Sequence, residues 1–221
     1  MTPQLFLFDL DGTLIDSRAD LAAATNRMRS LHGLPPLPLD HIASLVGDGI
    51  RTLAIRALAG APVDPDLAAR EIGEAYARHL FDATTAYPGV DDGLRALRSA
   101  GHLLALVTNK PSPHARRLCD HFGWTSLLSV LLGGGDTPEL KPSPLPLQEA
   151  MRRTRHPPEH TWMVGDHHTD LEAARRAGVR SIYLESGFGN PGAETPDLVF
   201  PGFSAFAVRF LPPARPCAHH T

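Results

Sequence analysis

This sequence has few cysteines, no long apolar run and no excess of basic residues. Its 221 residues include two cysteines, Cys119 and Cys217, so we expect no disulfide framework and interpret both thiols as inert. A formal net charge of -3 provides no positive field for nucleic acid or an anionic membrane, and we expect neither as a partner. No apolar run could cross a bilayer, and the first residues show no signal-peptide pattern. We therefore expect a cytoplasmic protein.

Short apolar runs recur along most of the chain, and helix-length segments separate most of them. With 43% hydrophobic residues, the chain can bury a large core in one domain or in two unequal ones. Such runs are typical of strands that are buried on both faces of a parallel sheet. The predicted strands cover residues 5–8, 102–107, 130–132, 161–164, 181–184 and 198–200.

Three of the intervening segments end in a glycine, as helices often do. They cover residues 90–100, 113–122 and 170–177, and the glycines are Gly101, Gly123 and Gly178. Strands alternating with helices predict an α/β fold with a doubly wound parallel sheet, that is, a Rossmann-like core. The proline-rich tail, residues 211–221, is predicted to fray, and we assign no function to His219 and His220.

The segment from Ser17 to about Tyr87 breaks this alternation, because it contains helical patterns and no apparent strand. Ser17 and Asp20 have the spacing of a capping box, and apolar residues follow at helical spacing. We interpret residues 17–86 as a second, smaller, all-helical domain inserted into an α/β core formed by residues 1–16 and 87–221.

Polar residues follow the predicted strands where the chain leaves the sheet. Ligands of open α/β sheets bind at the carboxyl ends of the strands, so we expect these side chains to meet there. Clustered carboxylates repel one another unless a cation lies between them, and a set of hard oxygen ligands suits Mg²⁺. A hydroxyl and a lysine beside them indicate an anionic ligand. The residues are Asp9, Asp11, Thr108, Asn109, Lys110, Lys141, Asp166 and Asp170.

Four motifs in this chain resemble those of the haloacid dehalogenase superfamily of phosphotransferases. They are "DLDGTLIDS", "VTNK", "LKPSP" and "VGDHHTD", in the order that the superfamily shows and at predicted strand ends. One Asp-x-Asp pair alone is weak evidence, whereas four ordered motifs are specific. The resemblance covers nearly the whole chain and implies phosphoryl transfer.

The resemblance also implies a role for each motif residue. Asp9 is expected to attack phosphorus and form an aspartyl phosphate, with Asp11 as general acid and then general base. Thr108 and the backbone amide of Asn109 would hold phosphoryl oxygens, and Lys141 would supply positive charge beside Asp9.

The implied metal is Mg²⁺, and the resemblance places its ligands in the first and fourth motifs. Asp9, the backbone carbonyl of Asp11 and Asp166 would bind the ion, and Asp170 would support them from outside the ligand set. Many relatives carry serine where His167 stands. Because a hard Mg²⁺ site does not favour imidazole, we interpret His167 as a loop residue near the site and His168 as structural.

Substrate choice is assigned to the helical insertion, which resembles the small α-helical cap of the superfamily's first subclass. Within it, "SLVGDGIRTL" resembles the glycine-containing loop of phosphoglycolate phosphatases through Gly47, Gly49 and Arg51. Arg51 could clamp the carboxylate of phosphoglycolate, or a hydroxyl or second anion of a sugar phosphate. The alternative is a surface arginine on a cap helix, and the sequence leaves both open.

Three functions are compatible with these motifs. The first is a Mg²⁺-dependent phosphatase of a small phosphorylated metabolite, with 2-phosphoglycolate as the best single substrate. The second is a phosphotransferase similar to β-phosphoglucomutase, and the third is a receiver-like signalling module. Asp11 and the helical insertion argue against the receiver, because a long-lived aspartyl phosphate does not need a positioned general base. Asp11 also argues against a dehalogenase, whose chemistry does not use an acid at that position. The sequence does not distinguish a monomer from a homodimer.

Overall fold

The computed structural model describes residues 2–212 of the chain. Its strands are β1 (Leu5–Phe8), β2 (Ile15–Asp16), β3 (Thr85–Ala86), β4 (Leu103–Pro111), β5 (Val130–Gly134), β6 (Thr161–Gly165), β7 (Arg180–Leu184) and β8 (Leu198–Phe200). Its α-helices are α1 (Arg18–Leu31), α2 (Leu39–Ala43), α3 (Ile50–Leu58), α4 (Pro65–Arg78), α5 (Val90–Ser99), α6 (Ser112–His121), α7 (Leu145–Thr154), α8 (His168–Ala177) and α9 (Phe203–Phe210). Cys217, His219 and His220 lie outside the described residues.

Six strands form the parallel sheet that the apolar runs predict. Their order is β5-β4-β1-β6-β7-β8, so the first strand of the chain lies in the middle, between β4 and β6. Phe8, the last residue of β1, is paired with Leu106 of β4 and with Val164 of β6. β1 and β6 therefore end within one residue of each other at the same edge of the sheet, whereas β4 continues to Pro111, so the residues that follow β1 and β6 meet the last residues of β4 there.

Side chains of β1 alternate between two hydrophobic layers, because successive residues of a strand point to opposite faces. Phe6 and Phe8 belong to one layer, where they pack against the phenylalanines of α9. Leu5 and Leu7 belong to the other layer, which contains side chains of α7 and α8. Helices thus cover both faces, which confirms the doubly wound α/β class.

The helices α1 to α4 form the smaller unit, and α4 packs against both α1 and α3. A two-residue antiparallel ribbon, β2 with β3, stands where the chain leaves the sheet and returns to it. The prediction of no strand in this segment was therefore wrong for Thr85–Ala86, since two residues are too few for a periodic pattern. The ribbon supports our division of the chain into a core and a cap of residues 17–86, which we retain as a proposal.

The capping box predicted at the start of α1 was also wrong. Ser17 is the N-cap residue, but its side chain makes no capping hydrogen bond and donates instead to Asp11 Oδ1, 2.5 Å away. The Asp20 carboxylate accepts hydrogen bonds from the backbone N–H groups of Ala83 and Thr84, at 2.8–3.1 Å. Both polar groups have tertiary partners, which a local spacing rule does not consider.

The three helix ends that were predicted from glycines are confirmed. Gly101, Gly123 and Gly178 follow α5, α6 and α8, and each has a positive φ of 71–88°, where other residues are strained. Among the helices of the described residues, none has the length and apolarity that crossing a bilayer requires.

Candidate active site

The loop after β1 brings Asp9 and Asp11 to the carboxyl edge of the central strand. Asp9 N–H donates to the carbonyl of Val164, 3.0 Å away, and this bond extends the pairing of β1 with β6 by one residue. Gly12 then turns the chain with a φ of +85°, and a Cβ at this position would lie 2.0 Å from Asp166 Oδ2. Glycine is required here both for the backbone angle and for the close approach of the fourth motif.

Three carboxylates meet beside this loop. Asp9, Asp166 and Asp170 can each offer an oxygen, and these oxygens lie within 4.8 Å of one another. Asp166 is fixed by hydrogen bonds from Thr13 Oγ1 and from the backbone N–H of Gly189, both 2.9 Å long. Burial, and then the charges of Asp9 and Asp170, raise the pKa of Asp166 well above its usual value. The cluster therefore carries more negative charge than its surroundings stabilise.

Mg²⁺ fits this cluster. Asp9 Oδ1 is buried, and its one close polar neighbour is Lys141 Nζ, 3.0 Å away, in a contact without regular hydrogen-bond geometry, so a lone pair of this hard oxygen remains available to a metal ion. A divalent ion would relieve the repulsion that raises the pKa of Asp166. All three side chains are oxygen donors, as Mg²⁺ prefers.

Lys141 contacts two carboxylates of this cluster, Asp9 and Asp170. Its Nζ is 3.0 Å from Asp9 Oδ1 and donates hydrogen bonds to Asp170 Oδ1, at 2.6 Å, and to the carbonyl of Val107, at 2.7 Å. Burial lowers the pKa of Lys141, but the carboxylates of Asp170 and Asp9 outweigh it and raise the pKa overall. The side chain is therefore a buried cation, held by Asp170 and directed at Asp9.

The residues of the second motif leave the regular sheet pairing. The register between β4 and β5 shifts between Val107 and Pro111, so residues 108–110 project toward the loop after β1. Thr108 is buried and lines the same cavity as Asp9. The side chain of Asn109 binds main-chain groups: Nδ2 donates to the carbonyls of Gly47, at 3.0 Å, and Lys141, at 2.8 Å.

A cavity opens over these groups, between the sheet and the helical segment. The core contributes Asp9, Asp11, Thr108, Asn109, Lys110 and Asp166 to its wall. The helical segment contributes Val46, Gly47, Gly49, Ile50, Leu53 and Tyr76. One wall is thus charged and the other mainly apolar, which suits a small ligand that has its anionic end at the sheet.

Comparison with known proteins agrees with this arrangement. A sequence model described as haloacid dehalogenase-like hydrolase matches residues 6–184. The chain belongs to this family. It is 39% identical over 229 aligned positions to the phosphoglycolate phosphatase of Psychrobacter arcticus. The alignment covers 98% of this chain and 99% of that protein. It is 42% identical over 197 positions to the phosphoglycolate phosphatase of Chromobacterium violaceum, covering 86% and 89%.

A solved structure agrees as well. The crystal structure described as a predicted phosphoglycolate phosphatase from Haemophilus somnus superposes with a TM-score of 0.88 at 31% identity, covering 95% of this chain and 98% of that one. The doubly wound core with its helical segment is therefore the fold of a haloacid dehalogenase-like hydrolase.

Of the cap residues that the sequence singled out, two line the cavity of this hydrolase and one does not. Gly47 and Gly49 both have positive φ, and a Cβ at Gly47 would lie 2.6 Å from the imidazole of His167. Arg51 is absent from the cavity wall, its side chain is 62% exposed, and its Nε lies 2.6 Å from Asp66 Oδ1. In the structure Arg51 is a surface arginine on a cap helix, because the first turn of α3 directs its side chain toward Asp66 of α4.

The two histidines of the fourth motif contact the cap loop. His167 Nδ1 lies 3.0 Å from Thr169 Oγ1, and the His167 side chain caps α8. Burial lowers the pKa of His167 to about 4, so the ring is neutral at physiological pH. His168 Nε2 lies 3.7 Å from Asp48 Oδ1 of the cap loop, so both imidazoles lie at the boundary between the two parts of the hydrolase.

The sequence predicts Lys110 at a strand end but indicates no role for it. The structure buries its ammonium group between the two carboxylate oxygens of Asp11, at 2.7 and 2.9 Å, and Tyr76 OH, at 2.8 Å. One signal in the sequence distinguishes it. The chain contains nineteen arginines but two lysines, Lys110 and Lys141, and both are buried beside the candidate catalytic aspartates.

Proposed function

We propose that this phosphoric monoester hydrolase removes the phosphoryl group of 2-phosphoglycolate with the help of Mg²⁺. The observation that carries the proposal is the position of Asp9. Lys141 Nζ lies 3.0 Å from its Oδ1, and one oxygen each of Asp9, Asp166 and Asp170 lie within 4.8 Å of one another. The choice of substrate is supported by two relatives that are named phosphoglycolate phosphatase and are 39% and 42% identical to this chain.

In the first chemical step, an oxygen of Asp9 attacks phosphorus, and the bond between phosphorus and the ester oxygen breaks. Asp11 gives its proton to the departing alkoxide, and the phosphoryl group remains on Asp9. In the second step, Asp11 takes a proton from water, whose oxygen attacks phosphorus. Inorganic phosphate leaves, and Asp9 returns to a free carboxylate.

Charge on the transferred phosphoryl group needs positive partners that are already in place. Lys141 provides one, because Asp170 and the carbonyl of Val107 fix its ammonium group beside Asp9. Thr108 and the backbone N–H of Asn109 provide hydrogen bonds to phosphoryl oxygens. Asp9, the backbone carbonyl of Asp11 and Asp166 would hold Mg²⁺, which neutralises phosphoryl charge when bound.

The cap of residues 17–86 limits the substrate to a small phosphorylated metabolite. Val46, Ile50 and Leu53 form the apolar wall, and Gly47 and Gly49 bring the cap backbone close to the sheet. Water is excluded from such a site when the cap lies over the core, which strengthens the electrostatic contacts to the phosphoryl group.

A panel of phosphate esters tests this function. Purified protein is assayed for phosphate release from 2-phosphoglycolate, ethyl phosphate, p-nitrophenyl phosphate and glucose 1-phosphate, with Mg²⁺ and with a chelator. The proposal expects 2-phosphoglycolate to have the highest kcat/KM and activity to disappear with the chelator. Conversion of glucose 1-phosphate to glucose 6-phosphate without release of phosphate would instead identify a mutase.

A further inference from the structure

Lys110 is a buried cation in the cavity wall that the proposed phosphoryl chemistry does not use. Its side chain is 3% exposed, and its Nζ contacts Asp11 of the core and Tyr76 of the cap helix α4. The ring centroid of Tyr76 also lies 4.3 Å from Nζ. Burial lowers the pKa of Lys110, but Asp11 and Tyr76 outweigh it and raise the pKa overall, so the group is charged.

The scarcity of lysine in this chain makes the residue type informative. Nineteen of the basic residues are arginines, and the two lysines are the two that are buried at the site. A lysine ammonium is a compact charge with three donors, whereas a guanidinium is a planar fork with five donors in a fixed geometry, so the two are not interchangeable between Asp11 and Tyr76. Lys141 has a role in the proposed chemistry, because it contacts Asp9 and Asp170, whereas Lys110 has none.

No other side chain of the cavity wall, within residues 2–212, supplies a permanent positive charge for a second anionic group. Arg51 lies outside the cavity and pairs with Asp66. His114 lines the cavity, but burial, with the nearby Lys110 ammonium, lowers its pKa to about 4. Its Nδ1 is buried without a hydrogen-bond partner, and its ring packs edge-on against Tyr76 with the centroids 5.5 Å apart.

We propose that Lys110 and Tyr76 OH form the subsite for the carboxylate of the substrate, so that Lys110 determines the preference for phosphorylated 2-hydroxy acids. This inference rests on the proposed function, because it places the ester oxygen beside Asp11. Lys110 Nζ lies 2.7 Å from Asp11 Oδ1, so it is one hydrogen-bond length beyond the acid. In 2-phosphoglycolate the carboxylate oxygens lie about 3 Å from the ester oxygen. A two-carbon acid therefore has the length that this pair of contacts needs.

Kinetic selectivity tests the subsite. Ethyl phosphate has the same chain length as 2-phosphoglycolate but a methyl group in place of the carboxylate. The readout is kcat/KM for 2-phosphoglycolate divided by kcat/KM for ethyl phosphate. A fall in activity that affects both esters, such as one caused by displacement of Asp11, leaves this ratio unchanged. Lys110→Met is expected to lower this ratio about 100-fold, because a charge-assisted contact in a desolvated site is lost for one ester only.

Two further variants separate the subsite from its alternatives. Tyr76→Phe removes one hydroxyl and is expected to lower the ratio about fivefold, mainly through KM for 2-phosphoglycolate. Arg51→Met removes a comparable charge from the cap outside the cavity, and the ratio is expected to stay within twofold of the wild type. An equal fall for both esters in Lys110→Met, or loss of the ratio in Arg51→Met instead, would overturn the inference.

Equilibrium binding gives a second readout that does not depend on turnover. Calorimetry compares 3-phosphonopropionate, a non-hydrolysable analogue with the carboxylate, with propylphosphonate, which lacks it. The wild type is expected to prefer the carboxylate analogue, and Lys110→Met to bind both equally. If wild type shows no preference for 2-phosphoglycolate over ethyl phosphate, the proposed substrate fails; if wild type shows it and Lys110→Met retains it, the subsite alone fails.

Discussion

Asn109 and Lys141 exchange two hydrogen bonds, each 2.8 Å long. Asn109 Nδ2 donates to the carbonyl of Lys141, and the backbone N–H of Lys141 donates to Asn109 Oδ1. A side chain near the end of β4 therefore holds the main chain of the loop that carries the buried lysine. Since Nδ2 also donates to the carbonyl of Gly47, the same amide links the core to the cap.

We predict that Asn109→Ala lowers both stability and kcat. Three hydrogen bonds to buried main-chain groups are lost, which is expected to lower the free energy of unfolding by about 2–3 kcal/mol. Because Lys141 is then no longer fixed beside Asp9, kcat is expected to fall at least tenfold. Urea unfolding and steady-state kinetics measure the two effects.

Asn26 provides a matched control for this variant. Its amide exchanges hydrogen bonds with the main chain of Leu37, at 2.9 and 2.8 Å, in the same reciprocal pattern but within the cap. Asn26→Ala should lower stability and leave kcat within about twofold. If both variants lowered kcat alike, the Asn109 contact would have no specific part in positioning Lys141.

The position of the site could be predicted from sequence because it follows from sheet topology. Asp9, Thr108 and Asp166 each follow an apolar run of the sequence, and the parallel strands that such runs form end at one edge of the sheet. The pairing of Phe8 with Leu106 of β4 and Val164 of β6 confirms that these three segments lie side by side in the sheet. Short apolar runs carried this information, and it required no knowledge of side-chain contacts.

Contacts between distant segments could not be predicted in the same way. Ser17 fits a local capping rule, but its hydroxyl binds Asp11, six residues earlier in the sequence. Tyr76 fits a helix core position, and only the packing of α4 over the sheet brings its hydroxyl to Lys110. Arg51 lies two residues after the cavity-lining Gly49, yet its helix directs it to Asp66. Each outcome depends on how two elements are oriented, which periodicity does not encode.

A second prediction concerns the metal. Asp166→Asn removes a charged oxygen from the carboxylate cluster but keeps an oxygen that can accept from Thr13 Oγ1. We expect the Mg²⁺ concentration for half-maximal activity to rise at least tenfold, as measured by metal titration. Asp136→Asn is the control, because this carboxylate follows β5 and accepts from Ser112 Oγ, at 2.7 Å, outside the cluster. An Asp166→Asn titration that coincides with the control would place Asp166 outside the ion's ligand set.

A third prediction concerns stability at acidic pH. Burial, with the nearby Lys110 ammonium, lowers the pKa of His114 from 6.5 to about 4 in the folded protein. Between these values the unfolded chain binds a proton that the folded protein does not, so this residue makes stability fall as pH falls. From pH 7.5 to 5, wild type should lose about 1–2 kcal/mol more than His114→Gln, allowing for partial solvent screening.

Urea unfolding at several pH values measures this difference. His41→Gln, which changes an exposed histidine of α2, is the control variant. Parallel stability curves for wild type and His114→Gln would contradict the prediction, since they would show that the imidazole titrates alike in both states.

The nucleophilic role of Asp9 is the central claim, and a single-turnover experiment tests it most directly. In an Asp11→Asn variant no base activates water, and p-nitrophenyl phosphate needs no acid, because nitrophenolate leaves unprotonated. We predict a burst of one nitrophenolate per enzyme molecule, followed by slow turnover. Peptide mass spectrometry should then find one phosphoryl group on the peptide that contains Asp9. A linear time course without a burst, together with an unmodified Asp9 peptide and near-normal turnover in Asp9→Asn, would contradict the covalent mechanism.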